Sequence, residues 1–102
     1  MSATKRINLL LIDDDLEDVL LLKETLAESS EQSFHVIHTG WLKTGLDCLA
    51  KGEIDLVILD LNLPDSRGLD TLRTLLSQTN QVPIVVMSEL TDETLALATI
   101  QM

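Results

Sequence analysis

Residues 54–60, IDLVILD, decide the fold. The run is short, apolar and rich in β-branched residues up to a terminal carboxylate, Asp60. That is the pattern of a strand buried on both faces, which belongs in the interior of a parallel sheet covered by helices. Behind it comes LNLPDSRG, residues 61–68, where Pro64 and Gly68 each disfavour a continuing regular element and predict a loop.

The neighbouring segments repeat this plan. INLLLI, 7–12, is a second continuously apolar run, closed by Asp13, Asp14 and Asp15. Residues 16–28 place Leu16, Val19, Leu20, Lys23 and Leu26 at helical spacing, with acids near the start where the helix dipole favours them. FHVIHT, 34–39, reads as a strand, and Gly40 turns the chain into a helix over 41–50 that carries Trp41, Leu42, Leu46 and Leu49. After the loop a helix is predicted over 69–77, and Pro83 introduces a fourth strand, IVVM. Residues 91–101 then predict a fourth helix, with Thr91 as N-cap, or Thr94 if it starts later. Four β-α units with short links make residues 1–102 one α/β domain with a parallel sheet and helices on both faces.

Composition narrows the function. Aromatic residues are 2% of the chain against 45% hydrophobic, so the core is built from Leu, Ile and Val. A net charge of -10 argues against a nucleic-acid surface, which needs Lys/Arg density to neutralise phosphates. The single cysteine, Cys48, excludes an internal disulfide and reads as core packing. No apolar run approaches the roughly 18 residues that span a bilayer. MSATKR leads straight into a strand pattern, so the expected setting is the cytoplasm, away from membranes.

In open α/β sheets, functional groups gather at the carboxyl ends of the strands. That rule singles out Asp13, Asp14 and Asp15, then Asp60, then Ser88 after the fourth strand. If the first and third strands are neighbours, Asp13, Asp14 and Asp60 converge, and a hard divalent cation, Mg²⁺ or Mn²⁺, relieves their repulsion. No Cys/His set suits zinc, and His35 and His38 read as ordinary strand residues. A carboxylate in such a site can attack a phosphoryl group, and the Ser88 hydroxyl can hydrogen-bond the product. The same acids also fit plain helix capping or solvated charge, and Ser88 a routine turn; periodicity leaves both readings open.

The stretches LLIDDDLEDVLLLKETL, IDLVILDLNLPDSRGLDTLRTL and VPIVVMSELTDETLALA, taken in order, resemble the receiver domain of two-component response regulators, from about Ile7 to the last residue. The resemblance implies a flavodoxin-like three-layer α/β/α fold whose sheet order is 2-1-3-4-5. In this chain it implies order 2-1-3-4, with the fifth strand and fifth helix missing. It also implies phosphoryl transfer from a histidine kinase or phosphotransfer protein, and a fused or separate output domain. Asp60 matches the phosphoacceptor, Asp13 and Asp14 the acidic pair that holds Mg²⁺ with it, and the backbone carbonyl of Asn62 a further ligand. Ser88 matches the hydroxyl residue that follows the phosphoryl group, and Pro64 and Gly68 shape the loop. The implied chemistry is acceptance and self-limited loss of a phosphoryl group rather than turnover.

Two departures stand out. Glu89 occupies a position where the family usually has a small residue, and the chain stops at Met102, before the strand that carries the family's Lys. The incomplete sheet edge predicts pairing or exchange of elements with a second copy. Both departures keep open a second reading, a receiver-like interaction module that works by packing without phosphorylation. A cofactor binder or hydrolase is disfavoured, because the first loop is DDD and the chain has no G-x-G-x-x-G or Walker pattern.

Overall fold

The computed structural model describes residues 6–28, 33–79, 81–91 and 94–100, with backbone pairing alone for 88–91 and 94–100. Its elements are β1 (Arg6–Ile12), α1 (Leu16–Ala27), β2 (Ser33–Thr39), α2 (Leu42–Ala50), β3 (Leu56–Asp60), β4 (Asn62–Leu63), β5 (Ser66–Arg67), α3 (Leu69–Gln78), β6 (Ile84–Thr91) and β7 (Thr94–Ile100). The main sheet runs β2-β1-β3-β6-β7. Its first four strands are parallel, in the expected order 2-1-3-4.

Alternation along the strands divides the core into two layers. Leu10, Ile12, Val57, Leu59, Ile84 and Val86 pack with Leu42 of α2 and Leu75 of α3. Leu9, Leu11, Ile58 and Met87 pack on the other face with Val19, Leu22 and Leu26 of α1. The four residues Leu9–Ile12 are fully buried because β1 lies between two strands and beneath helices on both sides. Cys48 is half-buried against the α2/α3 layer, as expected of a packing residue. Trp41 is at the start of α2 as expected, and the residue is 53% exposed.

Two expectations are corrected. The 61–68 segment is not an irregular loop: β4 and β5 pair antiparallel within it, Asn62 opposite Arg67 and Leu63 opposite Ser66. The helix expected over 91–101 is replaced by β7, which runs antiparallel to β6 from Thr91↔Thr94 to Ile84↔Ile100. As a short apolar run, TLALATI fits helix or strand by pattern. The outer edge of β6 supplies unpaired backbone groups that favour strand pairing, and its Thr and Ile residues suit a pleated surface. The free parallel edge expected on the fourth strand is therefore covered within the chain, and the strand extends through Ser88 to Thr91.

Gly45 lets α2 approach β1 closely. A Cβ there would lie 2.5 Å from Cδ1 and 3.0 Å from Cγ1 of Ile12. Gly45→Val should therefore destabilise the fold by about 1–3 kcal/mol through overpacking, read as a lower urea midpoint with an unchanged m-value.

Candidate functional site

Register brings the acids together. Ile12 pairs with Leu59 across β1 and β3, so the residues that follow, Asp13 and Asp60, leave the sheet side by side. Carboxylate oxygens of Asp13, Asp14 and Asp60 lie within 4.8 Å of one another. Asp13 is buried, Asp60 half-buried and Asp14 exposed, so the cluster grades from sealed to open. Asp15 does a different job: it is the N-cap of α1, its Oδ1 accepting the Glu17 N–H at 2.9 Å.

Asp13 is held on several sides. Its N–H donates to the Thr39 carbonyl at 3.0 Å, and its Oδ1 accepts the Asp15 N–H at 2.9 Å. Its own carbonyl lies 2.7 Å from Nε2 of His38, which must carry the proton, since a carbonyl only accepts. Oδ2 of Asp13 is buried with no hydrogen-bond partner. Burial pushes the Asp13 carboxyl up to about 7, the Asp60 carboxylate adds to the rise, and the Asp15 N–H opposes it. An orphaned buried carboxylate oxygen beside two further carboxylates is a donor set suited to a hard divalent cation, and Asp13, Asp14 and Asp60 could hold one.

The segment after Asp60 is a pinned ribbon. Asn62 N–H donates to Asp60 Oδ1 at 3.0 Å, and Gly68 N–H closes the segment onto the Leu61 carbonyl at 2.7 Å. Pro64 and Asp65 form the turn between β4 and β5. Gly68 sits at φ +65°, a conformation that side chains rarely adopt, and starts α3. Ser66 Oγ and the buried Thr71 Oγ1 are 2.7 Å apart, and Thr71 Oγ1 donates to the Leu61 carbonyl at 3.2 Å. Asp65 reaches across to α2, Oδ1 accepting the Leu42 N–H at 2.9 Å and Oδ2 the Lys43 N–H at 3.0 Å. Slight burial alone would raise the Asp65 carboxyl, but these two N–H groups hold it below the ordinary carboxylate range.

Asp14, Asp15, Asp60, Asn62, Pro64 and Arg67 line a cleft of about 300 Å³. Of the residues singled out from sequence, Asp13, Asp14, Asp60, Asn62 and Pro64 are thus gathered here, and Gly68 supports the ribbon. Ser88 follows Met87, the partner of Asp60 in the β3–β6 register; its side chain, like that of Glu89, lies outside the described residues. Sequence reading missed His38, Asp65 and Arg67. One signal for Asp65 was present: Trp41 has no capping side chain, so the first N–H groups of α2 needed an acceptor from elsewhere.

The family model described as the response regulator receiver domain matches residues 9–102. The chain belongs to the response regulator receiver family. The transcriptional regulatory protein CpxR of Escherichia coli K12 is 42% identical over 82 residues, covering 78% of this receiver and 32% of CpxR. The receiver thus spans about a third of the length of that relative. Its fold matches the MaeR response regulator bound to beryllium trifluoride with TM-score 0.72 at 22% identity, covering 84% of this chain and 70% of that one. A complex of the histidine kinase ThkA with the response regulator TrrA matches with TM-score 0.66 at 25% identity, over 85% of this chain and 72% of that one. Family membership and the acidic cluster together support a phosphoacceptor role. No helix among the described residues is long and apolar enough to cross a membrane.

The two perturbed carboxylates have opposite consequences for stability. Asp13 titrates higher folded than unfolded, so its contribution is present below about pH 4 and is lost as pH rises through about 7. Without divalent cations the urea midpoint should receive a falling contribution across that window; Mg²⁺ should raise the midpoint at pH 8, and Asp13→Asn should abolish most of that Mg²⁺ response. Asp65 titrates lower folded than unfolded, so its contribution is present at neutral pH and is lost as pH falls through its folded value. Asp65→Ala should cost about 0.5–2 kcal/mol at pH 7, the range for a lost helix cap, with the difference from wild type shrinking in acid.

Proposed function

We propose that this receiver accepts a phosphoryl group on Asp60 from a histidine kinase or phosphotransfer protein, with Mg²⁺ or Mn²⁺ held by Asp13, Asp14, Asp60 and the backbone carbonyl of Asn62. The observation that carries the reading is the convergence of three carboxylates at a cleft, one with a buried oxygen lacking any partner. Asn62 N–H engages Oδ1 of Asp60 and so helps to orient the carboxylate at the cleft. A carboxylate oxygen of Asp60 bonds to phosphorus as the P–N bond of the donor phosphohistidine breaks; the imidazole, protonated on its other nitrogen, leaves as the neutral ring with the electron pair. The cation, when bound, offsets the negative charge on the transferred oxygens.

Ser88, immediately after the residue that pairs with Asp60, donates its hydroxyl to the phosphoryl group and so ties β6 to the phosphorylation state. Water later attacks the phosphorus, the acyl O–P bond breaks with its electron pair left on the Asp60 carboxylate, and inorganic phosphate leaves, a self-limited loss rather than turnover. The kinase reading is supported by the ThkA–TrrA complex and by Leu16 and Leu20, one turn apart on α1 and more than 60% exposed, directly after the cleft-lining Asp15. By analogy with the transcriptional regulator CpxR, the receiver governs an output domain in the cytoplasm.

Intact mass after incubation with acetyl phosphate tests the assignment. A gain of one phosphoryl group that requires Mg²⁺ and disappears in Asp60→Asn is expected. An adduct that persists in Asp60→Asn would move the acceptor elsewhere, and no adduct on the wild type would favour an interaction module that works by packing alone.

A further inference from the structure

The cleft beside Asp60 is a hostile place for a phosphoryl donor. Its lining carries three carboxylates, Asp14, Asp15 and Asp60, with the buried Asp13 behind them. An anionic donor meets that field, and one divalent cation neutralises only part of it. The lining also holds a single cation, Arg67. Among the described residues the ion pair is Arg73 with Asp70, and Arg67 has no carboxylate partner. An arginine that lines an acidic cleft without pairing to its carboxylates keeps its guanidinium donors available for another anion.

Arg67 is also held in place. It pairs with Asn62 across the β4–β5 ribbon, and the Asn62 N–H is bonded to Asp60 Oδ1, so one rung links the cation to the acceptor carboxylate. The ribbon is fastened to α2 through Asp65, to α3 through Ser66 and Thr71, and to its own base through Gly68 and Leu61. Such anchoring fixes the backbone from which the Arg67 side chain reaches the cleft, so its guanidinium stays within range of a group on Asp60.

We propose that Arg67 is a phosphoryl-recognising cation of this cleft: its planar fork of N–H donors contacts phosphoryl oxygens of the donor as it enters, and of the phosphoaspartate after transfer. The proposal rests on Asp60 being the phosphoacceptor. It names a role for this chain's own side chain that is separate from metal binding. A cation at the cleft mouth favours an anion and disfavours a second cation, so its removal should slow phosphoryl transfer without weakening Mg²⁺ binding.

The test measures the initial rate of acetyl phosphate adduct formation by intact mass, and Mg²⁺ affinity by calorimetry, in the wild type, Arg67→Gln, Arg67→Lys and Asp60→Asn. Transfer onto Asp60 here breaks the P–O bond to the acyl oxygen, and acetate leaves with the electron pair. Arg67→Gln is expected to slow the adduct on the order of tenfold, with Mg²⁺ binding unchanged or tighter, and Arg67→Lys to fall between. A wild-type rate in Arg67→Gln would overturn the role of Arg67 while leaving Asp60 as acceptor. Parallel loss of Mg²⁺ binding and adduct would also overturn it, since Arg67 would then act only through the ribbon. Absence of adduct on the wild type would remove both assignments together.

Discussion

A carboxylate sealed from water yet lacking a partner on one oxygen sets the terms for the carboxyl edge of this sheet. Asp13 is buried because β1 is an interior strand and its last residue empties into the space between β2 and β3. Its backbone is fixed by Thr39 and His38, and its side chain is held by the Asp15 N–H on Oδ1. Asp60 arrives beside it because the β1–β3 register leaves no alternative. A proton on Asp13 relieves the mutual repulsion, and the same three carboxylates form a donor set that could hold a divalent cation in its place.

The ribbon after Asp60 joins the acidic cluster to the start of α2. Asn62 touches the acceptor carboxylate, and three positions further on Asp65 caps α2. A group attached to Asp60 therefore sits one hydrogen bond from a six-residue ribbon whose far end holds the start of a helix. The same ribbon places Arg67 at the cleft, so the cap of α2, the cleft's cation and the bond to Asp60 share one small scaffold.

On the opposite side of the sheet centre, β6 lies beside β3 and carries Ser88 just beyond the partner of Asp60. Pairing with β7 extends β6 through Ser88 to Thr91. Any movement of Ser88 toward a phosphorylated Asp60 thus involves a backbone that is hydrogen-bonded on both flanks at its start and on the β7 flank beyond Met87.

Much was legible in the chain itself. The continuous apolar runs at 7–12 and 54–60 and the helical spacing of Val19 and Leu26 specify parallel strands and covering helices, because burial on two faces or one leaves a distinct period, although Leu16 and Leu20 of the same pattern are exposed. The acids at the ends of those runs follow from the same pattern, since a strand that ends in carboxylates must deliver them to one edge. Three things depended on tertiary structure. Asp65 caps a helix that begins 23 residues earlier, a partnership no local motif encodes. His38 braces Asp13 only because β2 lies beside β1. The segment 94–100 becomes a strand because the open edge of β6 offers backbone hydrogen bonds that a pattern of Leu, Ala and Thr cannot announce. Local sequence determined which faces are apolar and where charge collects; packing decided which distant groups satisfy the donors and acceptors left over, because hydrogen bonds between remote segments exist only once the sheet has brought them together.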